Sequence, residues 1–198
     1  MAFLVPVFTL LLTVFPAAAR PVEPLEGLEA LRRSISGISD LTAEVVQEKR
    51  LPFLNRRVRV TGTVRYLKPD LILLVTAPPY ASRTLLRGGT VEQLEGGLHS
   101  RVVLPPGQRP GEWLERLSAP LTSVPEGIKV LADLTGKVYS VTIIPQGQDL
   151  VREAGFQFHE DGTLRRLTIV ERSGARTLMT FSRVRCNVGL TVRDFRLK

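Results

Sequence analysis

The sequence predicts a mainly β fold of the α+β type, in which antiparallel strands follow one short amphipathic helix. Three patterns predict it. Residues 57–66 alternate without a break: Val58, Val60, Val64 and Tyr66 take one face with Gly62 in step, while Arg57, Arg59, Thr61, Thr63 and Arg65 take the other. Strict period-2 alternation marks a sheet with one apolar and one wet face. Short β-prone runs then recur at even spacing between glycine turns, as in a sandwich or barrel. Ahead of them, Leu25, Leu28, Leu31 and Ile35 recur at helical spacing with Glu26, Glu29, Arg32 and Arg33 between them.

Taken in order, residues 1–19 carry no charged side chain and end in Ala17-Ala18-Ala19. That is the pattern of a secretory signal peptide cut after Ala19. The competing reading is a membrane anchor, but the apolar core is shorter than the ~20 residues that span a bilayer. A Pro-rich leader (20–24) precedes the helix (25–36). Acidic residues early and basic residues late suit the helix dipole, and Gly37 is the stop. Strands are expected at 41–51, 57–66 and, after the turn Lys68-Pro69-Asp70, at 71–76, which is apolar on both faces and so predicts cover on both sides. Further strands at 84–87 and 90–94 flank Gly88-Gly89, a hairpin signal. Another short strand is expected at 101–104. Residues 105–125, rich in Pro and Gly, read as an insertion over the sheet with helical turns at 111–117. Strands resume at 128–134 and 137–144 around Thr135-Gly136. A helical turn is expected at 148–154, a meander at 155–159, 163–172 and 175–185, and a last strand at 188–197. Residues 20–198 are read as one domain.

The net charge of +8 falls entirely outside the apolar leader. A basic exported protein can meet anionic lipid or an acidic partner, but the Lys and Arg are too dispersed to indicate nucleic acid. The one cysteine, Cys186, permits no internal disulfide. It is either a reactive thiol or, as the preferred reading, a small buried hydrophobe beside a strand. No catalytic, metal-ligating or cofactor-binding set is visible. His159-Glu160-Asp161-Gly162 reads as a hairpin turn ending in a turn dipeptide, and His99 as a solvated residue of a Gly-rich connection. The glycine pairs of 88–97 lack the Lys-Ser/Thr and helix of a phosphate loop, and no Ser sits in a nucleophile elbow.

What remains is a Leu/Val/Ile-rich face. It is either an ordinary packed core or a concave sheet that accepts an aliphatic guest. On the second reading the lining is Val60, Val64, Tyr66, Ile72 and Leu74, with Leu28, Leu31 and Ile35 from the helix. Outward Arg57, Arg59 and Arg65 either meet anionic headgroups or form a solvated strand face.

Several segments in order resemble one family. Leu41-Thr42-Ala43-Glu44-Val45-Val46-Gln47-Glu48-Lys49-Arg50 resembles its first strand, Val60-Thr61-Gly62-Thr63-Val64-Arg65-Tyr66 its Gly-containing strand, and Lys68-Pro69-Asp70-Leu71 its basic-Pro-polar-apolar turn. Ala77-Pro78-Pro79, the Asp161-Gly162 hairpin with residues 164–181, and Asn187 and Phe195 follow suit. The chain thus resembles the periplasmic outer-membrane lipoprotein carriers of the LolA type. The resemblance implies a half-open antiparallel β-barrel whose concave apolar face is covered by helices. It also implies a monomeric periplasmic carrier of lipoprotein acyl chains or another envelope lipid, without bond chemistry or a cofactor, passing its guest from an inner-membrane transporter to an outer-membrane acceptor. The alternative is an envelope interaction or sensor module with a filled β core and no lipid. Lys68 stands where the standard carrier has Arg, and Ile72 and Leu74 replace aromatics. Lys68 is therefore either a loose lid or headgroup contact, because an ammonium lacks the fork of a guanidinium, or a solvated turn residue.

Overall fold

A computed structural model describes residues 18–105, 109, 112, 120–147 and 150–197. The chain runs β1 (Ala19–Val22), α1 (Pro24–Ser36), β2 (Asp40–Leu51), β3 (Arg56–Leu67), β4 (Leu71–Thr76), β5 (Ser82–Arg87), β6 (Thr90–Glu95) and β7 (Leu98–Val103). It continues through β8 (Ile128–Thr135), β9 (Val138–Pro145), β10 (Val151–His159), β11 (Leu164–Glu171) and β12 (Arg176–Cys186). The strands form one sheet in the order β1-β8-β9-β10-β11-β12-β2-β3-β4-β5-β6-β7, with β1 and β7 at its edges. Two meanders, β2–β7 and β8–β12, are joined by the antiparallel pairing of β12 with β2. The result is a half-open antiparallel barrel with α1 on one face, here called the inner face.

Pairing register decides which side chains share that face, because directly paired residues point the same way. Val141 of β9 pairs with Phe156 of β10, Phe156 with Leu167 of β11, and Leu167 with Met179 of β12. Met179 pairs with Gln47 of β2, and Gln47 with Val60 of β3. The helix lies against β8, β9 and β10, so this whole row belongs to the inner face. Leu28 and Leu31, 0 % and 1 % exposed, pack with Val130, Ala132, Val141, Ile143 and Phe158. Burying two such side chains is worth about 1.5–3 kcal/mol each. A second inner cluster holds Leu41, Ala43 and Val64, with Tyr66, Ile72, Leu74 and Phe181 packed against it.

The cover expected on both faces of β4 is present. Ile72 and Leu74 point inward, while Leu71 and Leu73 pack outward against Leu85 and Phe195. The outward cover is the C-terminal segment, which corrects the strand expected at 188–197. After β12 the chain turns at Asn187 and Gly189, both at positive φ, and crosses the outer face through a 3-10 turn, Val192–Asp194. β12 already has a neighbour on each side, so the chain leaving it finds no free edge beside it for another pairing. Buried Asp40 accepts hydrogen bonds from the Val188 and Gly189 amides at 2.8 and 3.1 Å, and Arg65 donates to the Asp194 carbonyl at 2.9 Å. Asn187 ties the same corner to the helix end, donating to Gly37 O and accepting from Ser39 N.

Other expectations are corrected. The helical turn at 148–154 is strand from Val151 onward; Gln148 and Asp149 lie outside the described residues. β7 begins at Leu98, three residues earlier than expected, so His99 sits in a strand opposite Leu94 rather than in a connection. Cys186 is exposed rather than buried. The Pro-rich leader contributes β1, which pairs with β8 from Ala19↔Thr135; an edge position tolerates Pro21, whose nitrogen cannot donate. Of the turns expected at 111–117, only Glu112 is described, and it is helical.

The helix can approach β8 only because residue 27 lacks a side chain: a Cβ there would stand 2.2 Å from the Ala132 Cβ. Gly27→Ala should therefore destabilise the protein by about 1–3 kcal/mol through overpacking, although Ala is the better helix former by about 1 kcal/mol. Urea unfolding checks the sign; a stabilised variant would mean that the helix is not pressed onto β8.

Candidate functional site: an apolar inner face

The two inner clusters lie at opposite ends of one apolar strip. Between them, Phe156, Leu167, Ile169, Met179 and Val60 are all partly exposed rather than buried. The row Ala132–Val141–Phe156–Leu167–Met179–Gln47–Val60 crosses seven strands and contains one polar side chain, Gln47. Beyond it, Lys49 and Glu171 form an ion pair at 3.6 Å. Gln47, the Lys49–Glu171 pair and Thr177, which stands between Ile169 and Lys49, are polar features of a surface otherwise able to accept methylene chains.

The structure divides the expected lining residues between the two ends. Leu28 and Leu31 are packed into the helix cluster, with Ile35 at its margin. Val64 is buried in the second cluster, and Tyr66, Ile72 and Leu74 pack beside it. Val60 lies in the seven-strand row, opposite Gln47. The helix residues and the β3–β4 residues share a face but belong to separate clusters. The residues that connect them, Leu167, Ile169 and Met179, were missed. Their signal is the alternation in β11 and β12, obscured because Val170 and Leu178 put apolar side chains on the other face as well.

Tyr66 stands at the rim, with its hydroxyl 3.4 Å from the Pro69 carbonyl. Burial, then the nearby Asp70 carboxylate, pushes its phenol pKa up, so it remains a neutral donor. Lys68 is exposed, and its backbone N–H donates to Ser39 O at 2.8 Å. A clearer latch lies at the other end. Glu29 of α1 accepts the Leu121 amide at 2.6 Å and the Arg32 guanidinium at 2.9 Å. Leu121 and Val124 pack against the helix cluster, so Glu29 fixes this covering segment to the helix. Sequence reasoning counted Glu29 only as part of the helix's polar face.

No acid–base or metal arrangement emerges among the described residues, and none of their His, Cys, Asp and Glu side chains form a group suited to a metal ion. His99 approaches Glu92 at 3.5 Å on the β6–β7 edge, far along the sheet from His159, which closes the turn by accepting the Gly162 amide. Partial desolvation, then the Asp40 carboxylate, pushes the Cys186 thiol up, away from the thiolate that reactivity needs. Among the described residues no helix is long and apolar enough to cross a membrane.

No protein-family model matches the chain, and no curated protein matches its sequence. Solved structures do resemble it. A DUF1329 family protein from Desulfovibrio piger is 12 % identical with a TM-score of 0.48, over 89 % of this chain and 100 % of that one. A LolA superfamily protein from Nitrosomonas europaea is 8 % identical with a TM-score of 0.46, over 88 % of this chain and 98 % of that one.

The Glu29 latch gives a pH prediction. Hydrogen bonding from the Leu121 amide, then from Arg32, holds its carboxyl below the ordinary 4.5. A depressed folded pKa contributes stability that is present above the unfolded value and lost as pH falls through the folded one. Protection of the Leu121 amide from hydrogen exchange should therefore be constant near neutrality and fall in acid below 4.5. In Glu29→Ala, protection at pH 7 should drop about tenfold, the equivalent of one charge-assisted hydrogen bond. Unchanged protection in the variant would remove the latch.

Proposed function

We propose that this protein is an exported carrier that shields an acyl chain of a lipoprotein or another envelope lipid on the inner face of its half-open barrel, and releases it without bond chemistry. The observation that carries this reading is the partly exposed apolar row through Phe156, Leu167, Met179 and Val60, framed by two packed clusters. Water contact costs about 0.8 kcal/mol per methylene. A strip of aliphatic and thioether side chains offsets that cost without specifying a headgroup, and methionine adapts to guests of varied shape. The ordered resemblance of residues 41–50, 60–66 and 68–71 to the lipoprotein carriers supports the same reading, as does the uncharged leader ending at Ala19 for export to the periplasm. On this reading a donor in the inner membrane and an acceptor in the outer membrane are the partners, and Lys68 is a headgroup or lid contact at the rim.

A second reading is favoured by β7. This edge strand leaves Leu98, Val102 and Val103 exposed, and an unpaired apolar edge can add a strand from another protein. The chain would then be an envelope interaction module whose inner face stays closed.

A fluorescent fatty-acyl probe separates the two. The carrier reading expects saturable binding, displaced by phospholipid, and at least tenfold weaker binding in Leu167→Glu, because an unpaired charge is costly in an apolar site. Lys68→Arg should slow transfer of bound lipid to acceptor vesicles and Lys68→Leu should change it too. No probe binding by the folded wild type would favour the interaction module, and equal transfer rates for all three proteins would remove Lys68 from the mechanism.

A further inference from the structure

A cavity of about 420 Å³ lies on the outer face. Its floor is made by residues that alternate with the apolar row: Thr142, Gly155 and Thr168, which stand opposite one another on β9, β10 and β11. The middle one is glycine, so no side chain rises from the centre of the floor. A Cβ at Gly155 would touch Thr142 Oγ1 and Thr168 Cβ, both at 3.7 Å. Ser140 and Gln157 extend the polar floor, with the Gln157 amide 3.3 Å from Ser140 Oγ.

The wall is cationic. Arg50, Arg152 and Arg176 line the cavity against one carboxylate, Glu153, which Arg152 approaches at 3.4 Å. Arg176 of β12 stands directly opposite Arg50 of β2, and Arg50 directly opposite Arg57 of β3. Like charges directly opposite each other on neighbouring strands destabilise a sheet. Arg50, Arg57 and Arg176 make no ion pair among the described residues, in contrast to Arg59, which reaches Glu48 at 3.4 Å, and Arg183, which reaches Glu44. Folding places two uncompensated guanidiniums, Arg50 and Arg176, on the wall of a hydroxyl-floored hollow, with Arg57 next in the same row beyond Arg50. That arrangement suits an anion with several oxygens: guanidinium forks take two oxygens at once, and threonine and serine hydroxyls donate to the rest.

We propose that this outer cavity is a binding site for a phosphoryl group, carried either by a small soluble phosphate ester or by a phospholipid headgroup. It faces away from the apolar strip through the same strands, sharing only Phe156 with the apolar row, and it stands whether or not that strip holds a lipid. The two faces would let one sheet present apolar and anionic contacts at once.

The test uses the whole mature protein, with glycerol 3-phosphate, inorganic phosphate, and vesicles of phosphatidylglycerol or phosphatidylcholine as probes. Glycerol 3-phosphate should bind saturably and shift the backbone amide resonances of Gly155 and Thr168. In Arg50→Gln/Arg176→Gln its affinity should fall at least tenfold while acyl-probe binding is unchanged. The melting temperature of that variant should not fall, because the substitutions relieve like-charge repulsion. Binding of the soluble esters without vesicle binding supports a soluble ligand. Binding of phosphatidylglycerol vesicles that the variant loses supports a headgroup. If the wild type binds none of these probes, or the double variant binds them equally well, the site does not exist.

Discussion

The β2–β3 ladder is the constraint on which the rest of the structure depends. It runs unbroken from Asp40↔Leu67 to Leu51↔Arg56 at the centre of the sheet. Because strand side chains alternate, this one register sends Leu41, Ala43, Val45, Val60, Val64 and Tyr66 inward and Arg50, Arg57, Arg59 and Arg65 outward. A slip of one residue would reverse every assignment, burying guanidiniums at a cost of several kcal/mol each. Gly62 reinforces the register on the other side of β3. A Cβ there would lie 2.1 Å from the Val75 carbonyl oxygen, so β4 can lie this close to β3 only because this position lacks a side chain.

With the centre fixed, each end of the barrel needs its own cover. At one end α1 covers β8–β10, pressed close by Gly27 and tied to the 120–125 segment through Glu29. At the other end no helix of the described residues covers the strands, and the apolar outer side chains of β4 are sealed by Phe195, which is 2 % exposed. Asp40 connects the two arrangements. It opens β2 immediately after the helix, and it holds the amides that start the C-terminal crossing. The middle of the inner face, β11 and β12, lies between these covers, and there the apolar side chains are left partly open.

Much of this was legible in the sequence. The alternation of residues 57–66 survives in full, with every arginine of β3 exposed. The glycine turns are equally clear: Gly88, Gly89, Gly136, Gly162 and Gly174 all adopt positive φ where hairpins were expected, conformations that favour residues without a Cβ. What failed depended on partners distant in sequence. Residues 151–154 have helix-favouring side chains, but they lie between β9 and β11, and ladder pairing overrides local propensity. Leu190, Val192 and Phe195 resemble a strand, yet their partners are the outward leucines of β4 and β5 across the sheet. The candidate lining residues share one face, but the sequence does not say which strands a helix covers. Leu28 and Leu31 were therefore grouped with Val60 and Val64, whereas they pack beside Val141 and Phe158. The arginine row was invisible for the same reason, because Arg50, Arg57 and Arg176 meet only through the β12–β2–β3 pairing.

The account's central claim is that the partly open inner face exists to hold an acyl chain. Native mass spectrometry of the protein purified from the cell envelope, followed by lipid extraction, tests it most directly. The account predicts a mature chain beginning near Arg20 that carries substoichiometric to stoichiometric acyl-containing adducts, released on denaturation and reduced in Leu167→Glu. A bare polypeptide mass from folded envelope-purified protein, with no lipid in the extract and no uptake when acyl lipid is added back, would contradict it.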